Sequence, residues 1–443
     1  MRAMKRSHQR IQAFLTASLR RIGTQVRRAL TTDEDVTVHT GEAERAEAEE
    51  FARSAATLRG GMAKVAQLQA YLETSSSASD AKARAALAAL WDRAPGDDPQ
   101  AIRNVIKEDL GVYPEQLFVR WEDQPLAAAS LGQVHAATTR SGVEAAVKVQ
   151  YPGVAEGLRD DLGSRGMLER LAGAELGSAL SAEAIEALRK GMLDELDYKS
   201  EAANLEGFRQ AFAGDPEIVI PRPLPELSSA RVLTMERLTG ETLASFVPRA
   251  AAARRDAVAR VMFRFTWKGP VLYGLCNADP NPGNYLVVDA DPAHTRVGFL
   301  DFGCAVEIDD KLYDADRRLW LSMIHRDGEA LRYAVYEQGL IADMKVLDTN
   351  TFRAWEEKLA APFLDRTPYT LTPAHVRELN DLTSRLTRAR GIKLPAHAVL
   401  LWRQRLGALS VIAQLRPTLP FRQLLAEILD DGRNPISLYE RYP

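Results

Sequence analysis

The sequence predicts an α+β protein of two lobes, and three observations predict it. About 110 residues of helix-forming sequence precede the first strand signals. Three β-rich segments then follow in a block, at 117–121, 133–138 and 143–150. Beyond Lys311 the pattern is helical as far as Leu429. Strands gathered in a block, with helices mostly after them, suit a segregated α+β architecture and not an alternating parallel sheet. At 443 residues the chain can bury at least one large core.

Taken in order, residues 1–30 carry eight Lys/Arg and no Asp or Glu, with Ile11, Phe14, Leu15, Leu19, Ile22 and Val26 at helical spacing. This segment reads either as a basic amphipathic helix on an anionic membrane surface or as a helix packed on the protein's own body. An acidic, alanine-rich helix is expected from about 41 to 59, another over 62–72, a serine-rich loop at 74–79, and further helices at 81–91 and 99–110. After the three β segments, 154–212 reads as helical. Pro221, Pro223 and Pro225 punctuate before a strand over 231–238. A helix at 251–267 and two short strands at 285–288 and 297–301 complete the pattern. The expected division is 1–40 as the basic segment, 41–115 as a helical extension, 116–240 as the strand-rich lobe with a helical insertion, and 241–443 as the helical lobe.

The composition excludes several classes. A net charge of −3 gives no general argument for nucleic acid, and no nucleic-acid signature is present. Cys276 and Cys304 lack metal-ligand spacing, so a reducing compartment without structural disulfides is expected. The most apolar run, 398–415, is interrupted by Arg403 and Arg405, so it reads as a soluble amphipathic helix and not a membrane span. The N-terminus lacks the apolar core of a secretory signal. A cytoplasmic protein is expected, and any membrane contact would be peripheral, at the inner face.

The chemistry is concentrated in N-A-D-P-N-P-G-N, residues 277–284, and in L-D-F-G, residues 300–303. Asp279 stands five residues before Asn284, the D-x-x-x-x-N spacing of a kinase catalytic loop, and Asp301 is the aspartate of D-F-G. One carboxylate at such spacing orients an attacking hydroxyl or water, while an amide and a second carboxylate hold Mg²⁺ on nucleotide phosphates. Upstream, Lys148 sits in an otherwise apolar strand, A-V-K-V-Q, where an unpaired ammonium would be costly. The stretch D-E-L-D-Y offers Glu195 and Asp197 as counter-ions, and Glu201 follows six residues after Glu195. Where a kinase has a glycine-rich loop, this chain has Ala127, Ala128, Ala129, Ser130, Leu131 and a single Gly132. Alanine tolerates positive φ poorly, so this loop cannot close over phosphates as glycines do.

Together with A-A-A-S-L-G-Q-V-H-A-A, A-V-K-V-Q-Y-P-G-V, E-L-D-Y-K-S-E-A-A-N and V-L-T-M-E, these motifs resemble the UbiB/AarF/ADCK family of atypical kinases. The resemblance covers about Leu58 to Gly303, and K-L-P-A-H-A-V-L-L-W-R (393–403) also resembles bacterial members. It implies a two-lobed, protein-kinase-like fold with an N-terminal helical extension and a mostly helical C-terminal lobe. It implies an alanine-rich loop, here Ala127 to Ser130 with Val134 beyond it, on the nucleotide. It also implies a K-x-G-Q motif folded over the active site, here Lys64-Val65-Ala66-Gln67 with alanine in place of glycine. By resemblance Lys64, Gln67 and Asp279 are catalytic, Lys148 contacts the phosphates, and Glu195, Asp197 and Glu201 form a helix carboxylate cluster. Met235, Glu236 and Leu238 line the adenine side, and Asn284 and Asp301 hold the metal. Many members have histidine where this chain has Asn277 and Asn281, which keep hydrogen bonds but cannot titrate near neutrality.

The expected function is Mg²⁺-dependent ATP binding with slow hydrolysis. Lipid or quinone metabolism at an anionic membrane surface is implied by the resemblance alone. Phosphoryl transfer to a small molecule or protein, and a non-catalytic nucleotide-sensing scaffold, are the alternatives. ATP and Mg²⁺ are the expected cofactors, with lipid or quinone intermediates as expected partners and no nucleic acid.

Overall fold

The computed structural model describes residues 98–430 apart from 130, 164–185, 187–188, 192, 290, 342–344, 346–348 and 389–394. The helices expected before Asp98, and with them Lys64 and Gln67, lie outside the described residues, as does Ser130.

Helix α1 (Pro99–Leu110) starts where the Asp98 side chain accepts from Gln100 N at 3.1 Å and ends on Gly111 at φ 81°, a conformation only glycine adopts without strain. Its Ile102, Val105 and Ile106 recur at i, i+3 and i+4, so one face is apolar. That face packs on a four-stranded antiparallel sheet. The strands are β1 (Phe118–Ala128), β2 (Gly132–Thr139), β3 (Glu144–Gln150) and, after a two-residue strand β4 (Ile218–Val219) of the other lobe, β5 (Val232–Glu236). Their order is β1-β2-β3-β5. Period-two alternation sends Ala145, Val147 and Val149 of β3 toward α1, where they are buried with Phe118 and Val232. The same alternation turns Lys148 to the opposite face of the sheet.

Helix α2 (Val154–Gly163) follows β3, and α3 (Tyr198–Ala211) closes that opposite face. Asp197 caps α3 by accepting from Lys199 N at 3.0 Å. Tyr198, Glu201, Leu205 and Phe208 line its buried side. The chain then crosses into the second lobe through β6 (Glu241–Thr242).

The core of the second lobe is α4 (Ala252–Lys268), which leads through one π turn, Gly269–Tyr273, into β7 (Leu275–Asn277). Strands β8 (Tyr285–Asp289) and β9 (Arg296–Phe299) form a small sheet in the order β4-β9-β8-β6, and β10 (Ala305–Glu307) pairs with β7. The catalytic-loop sequence therefore runs between β7 and β8, and D-F-G between β9 and β10. Register fixes how close they lie. Tyr285 pairs with Phe299, and Ala305 with Asn277.

The remaining helices are α5 (Asp310–His325), α6 (Gly328–Glu337), α7 (Asn350–Leu364), α8 (Pro373–Arg388), α9 (Ala396–Ile412) and α10 (Phe421–Asp430). Phe263 and Trp267 of α4 stack at 4.2 Å between centroids and meet Trp320, Phe363 and Phe421 of this bundle. Two sequence expectations change here. The tail is not uniformly helical, because Tyr369–Thr370 pairs with Thr418–Leu419 as a ribbon, β11 and β12. The run 398–415 is not an amphipathic helix with a wet face either. Leu401 and Trp402, Gln404 and Arg405, Leu409, Val411 and Ile412 are all buried, and Leu400, Arg403, Leu406, Gly407 and Ser410 on the remaining side are half-buried. Arg405 is tolerated there because its guanidinium pairs with Asp316 at 2.7 Å and lies over Trp267 and Trp320. No described helix is long and apolar enough to cross a membrane.

Candidate nucleotide site between the lobes

Lys148 is the point at which the two lobes meet. Its Nζ donates to Glu201 Oε1 at 2.8 Å and Oε2 at 2.9 Å, and to Asp301 Oδ2 at 3.0 Å. The ammonium also lies 5.0 Å over the Tyr198 ring. Of the three carboxylates offered by the sequence, Glu201 is the counter-ion. It stands in the first turn of α3 on the buried stripe, while Asp197 is the exposed helix cap and takes no part in the cluster. Glu195 is buried and accepts from Cys304 Sγ at 2.7 Å, one residue past D-F-G.

Burial opposes the charge on Lys148, but the carboxylates of Asp301 and Glu201 hold its pKa well above the ordinary lysine value. Glu201 is pushed up to about 7, first by burial and then by the negative charge of Asp301, which the Lys148 ammonium only partly offsets. One cation thus faces more negative charge than it can neutralise. Tyr198 is raised as well, chiefly by burial.

Asp279 lies on the floor of the cleft and is only 7% exposed. Asn284 Nδ2 donates to Asp279 Oδ2 at 3.0 Å and to its backbone oxygen at 3.1 Å, the contact that the five-residue spacing allows. The other carboxylate oxygen, Oδ1, accepts from Arg403 Nη2 of α9 at 3.3 Å. Leu300 N donates to Asn284 O at 3.0 Å, which brings Asp301 within one residue of the Asn284 backbone. Asn277 ties the two motifs together, since its Nδ2 donates to Asp301 O at 2.9 Å and its Oδ1 accepts from Asp279 N at 3.4 Å. Asn281 Oδ1 accepts from Gly283 N at 3.0 Å and so shapes the turn that presents Asn284. Both asparagines act as turn formers, roles that need hydrogen bonds and no titration.

The alanine-rich segment forms the first hairpin of the sheet. Ala127 pairs with Val134 and Ala128 with Gln133, and Ala129 N donates to Gly132 O at 2.8 Å. None of the described alanines here has a positive φ. Gly132 is required by packing, because a Cβ there would run into the carbonyl of Val149 on β3, whose carbon would lie 2.8 Å away. Met235 is buried on β5 beside Ala146, Glu236 pairs with Arg222 at 2.9 Å, and Leu238 packs over Gly298. Lys148, Glu201 and Asp301 are therefore assembled directly, as are Asp279 and Asn284, with Met235 on the strand beside Lys148.

Sequence reasoning missed Arg403, Cys304 and Tyr198 as neighbours of these groups. The signal for Arg403 was present: a charge in a run apolar enough to be buried must find a partner. Among the described residues no three His, Cys, Asp or Glu side chains form a metal-binding group of their own.

A family model described as the ABC1 atypical kinase-like domain matches residues 89–335, more than half of the chain. The chain belongs to this family. It is 30% identical over 290 residues to a protein named probable protein kinase UbiB from Pseudomonas aeruginosa, covering 63% of this chain and 53% of the relative. It is 24% identical over 335 residues to atypical kinase COQ8B, mitochondrial, from Danio rerio, covering 74% and 52%. An uncharacterized protein of Mycobacterium tuberculosis is 31% identical over 334 residues, covering 71% and 64%. The chain thus spans between about half and two thirds of the length of these curated relatives. Among solved structures, the complex of Rv3197 with erythromycin from Mycobacterium tuberculosis superposes with a TM-score of 0.61 at 25% identity, over 88% of this chain and 97% of that one. The two-lobed, kinase-like fold expected from the motifs is the fold of the family.

Proposed function

We propose that this protein binds ATP with Mg²⁺ and hydrolyses it slowly, in support of lipid or quinone metabolism at a membrane surface. The observation that carries the nucleotide reading is the meeting of Lys148, Glu201 and Asp301 beside the Asp279–Asn284 pair. A lysine held by a carboxylate on a helix across the sheet face, facing an aspartate on the other lobe, is what phosphate binding between two lobes requires.

The donor set fits Mg²⁺. Asn284 directs its Nδ2 to Asp279, which leaves Oδ1 as the oxygen it can offer, and Asp301 supplies a carboxylate. Two hard oxygen ligands completed by phosphates and water suit Mg²⁺, which seldom uses an all-protein cage. When bound, the ion would supply positive charge to the phosphates and to the surplus carboxylates. Lys148 would bind and orient the phosphates, and Glu201 would hold the Lys148 ammonium in place. Asp279 would orient an attacking water at its carboxylate. Met235 and the backbone of Glu236 to Leu238 would receive the adenine, with Ala127 to Ala129 and Val134 above it. The lipid or quinone role rests on family resemblance, and peripheral membrane contact would be its physical form.

The alanine hairpin supports a second reading, a scaffold that senses nucleotide without turning it over, because it closes less tightly on phosphates than glycine would. Thermal unfolding with ATP, with and without Mg²⁺, followed by turnover with and without anionic lipid, separates the two. The expected result is Mg²⁺-dependent stabilisation, lost in Asp301→Asn, with slow phosphate release. Stabilisation without release would favour the scaffold. Absence of Mg²⁺-dependent stabilisation, or its persistence in Asp301→Asn, would overturn the nucleotide reading itself.

A further inference from the structure

The catalytic loop is held from below by a helix that begins more than a hundred residues later. Arg403 and Gly407 stand one turn apart on α9, so they present to the same side of the helix. Arg403 Nη2 reaches Asp279 Oδ1 at 3.3 Å, and the two side chains are only 12% and 8% exposed. At Gly407 the helix backbone lies so close to Pro280 that a Cβ would run into its Cγ and stand 3.3 Å from its Cβ. Two successive residues of the loop, Asp279 and Pro280, are therefore gripped by an i, i+4 pair of one buried helix. Arg403 also places Nη1 3.9 Å from Cys304 Sγ, which contacts Glu195, so the same side chain touches both the catalytic loop and the segment after D-F-G.

We propose that Arg403 and Gly407 are positioning residues for Asp279, with α9 setting the depth and direction at which its carboxylate enters the cleft. The role at Asp279 rests on the nucleotide reading above, whereas the grip itself does not. Asn284 and Arg403 occupy one oxygen each, which fixes both the position and the rotation of the carboxylate. The guanidinium fork cannot deprotonate and presents its donors in a plane, so it orients as well as neutralises. Gly407 sets the distance. A methyl group there must lift the helix from Pro280 or push the loop into the cleft, and misplacement on the order of 1 Å is enough to cost about 100-fold in a positioned reaction.

Two arms test this on the full chain. Without nucleotide, thermal unfolding is measured for Gly407→Ala, Pro280→Ala and the double variant, and likewise for Arg403→Gln, Asp279→Asn and their double variant. Alanine in place of a helical glycine ordinarily stabilises. The expected result is that Gly407→Ala lowers the midpoint, that it no longer does so when Pro280→Ala is present, and that the Arg403 and Asp279 substitutions are non-additive. A raised midpoint for Gly407→Ala, with both cycles additive, would overturn the grip. With ATP and Mg²⁺, Arg403→Gln and Gly407→Ala are expected to lower kcat about tenfold or more with KM little changed. Arg403→Lys should recover part of the loss, and Arg403→Gln should cost nothing further in the Asp279→Asn background. An effect on KM alone, or an equal loss in that background, would overturn the positioning role. Absence of nucleotide binding by the wild type would instead count against the functional reading, and the first arm would still decide the grip.

Discussion

The excess of negative charge around Lys148 makes a prediction that can be worked through with its sign. Glu201 is buried and its folded pKa is about 7 against an ordinary value of 4.5. Between those two values the folded protein keeps a proton that the unfolded chain releases, so stability falls as pH rises through the window and levels off above it. The difference of about 2.5 units corresponds to a penalty on the order of 3 kcal/mol for the ionised carboxylate above pH 7. Lys148 shifts the other way. Its contribution is complete below its ordinary value of 10.5 and is lost only as pH rises beyond it, outside the assay range. Glu201→Gln keeps the shape and hydrogen-bonding capacity of the protonated acid and leaves Asp301 as the partner of Lys148. Urea unfolding from pH 5 to 8.5, in EDTA and without nucleotide, should show the variant close to wild type at the acid end. At the alkaline end the variant should be the more stable, by up to about 3 kcal/mol. Parallel pH profiles, or a variant destabilised at pH 8 as expected for a broken buried pair, would refute the reasoning.

Two further outcomes follow from packing. Gly132→Ala puts a methyl group against the backbone of β3, and denaturant unfolding should show a loss on the order of 3 kcal/mol, since neither strand can give way without breaking the ladder. Arg405→Met removes the partner of Asp316 inside the bundle and should cost about 3–5 kcal/mol by the same measurement, with recovery when Asp316 is replaced by Leu at the same time.

Much of the site was legible in the chain because its parts are local. The Asp279–Asn284 contact follows from a five-residue spacing, and the lysine in an apolar strand announces a counter-ion. The choice among Glu195, Asp197 and Glu201 turned on where α3 begins. Once the helix starts at Tyr198, Asp197 falls outside as the cap and Glu201 joins the stripe of Leu205 and Phe208. That boundary is set by a cap, which sequence locates to within a few residues at best. The strands β4, β6, β11 and β12 have two residues each, too short to carry any periodicity. Arg403 signalled only that it needed a partner, not which one. Its partner lies 124 positions away, and only the packing of α9 in the middle of the bundle brings the two together.

That separation has a consequence for the order in which the protein comes into being. Lys148 and its counter-ion on α3 both precede most of the second lobe in the chain, so the upper half of the cleft can form early, before Asp301 is made. Asp279 meets Asn284 soon after, but its second partner arrives only when α9 has left the ribosome and been enclosed by the helices around it. A chain halted before residue 396 would carry every motif by which a nucleotide site is recognised and would lack the element that seats its floor. The floor of the cleft would thus be seated by a helix encoded near the end of the polypeptide, long after the motifs it supports.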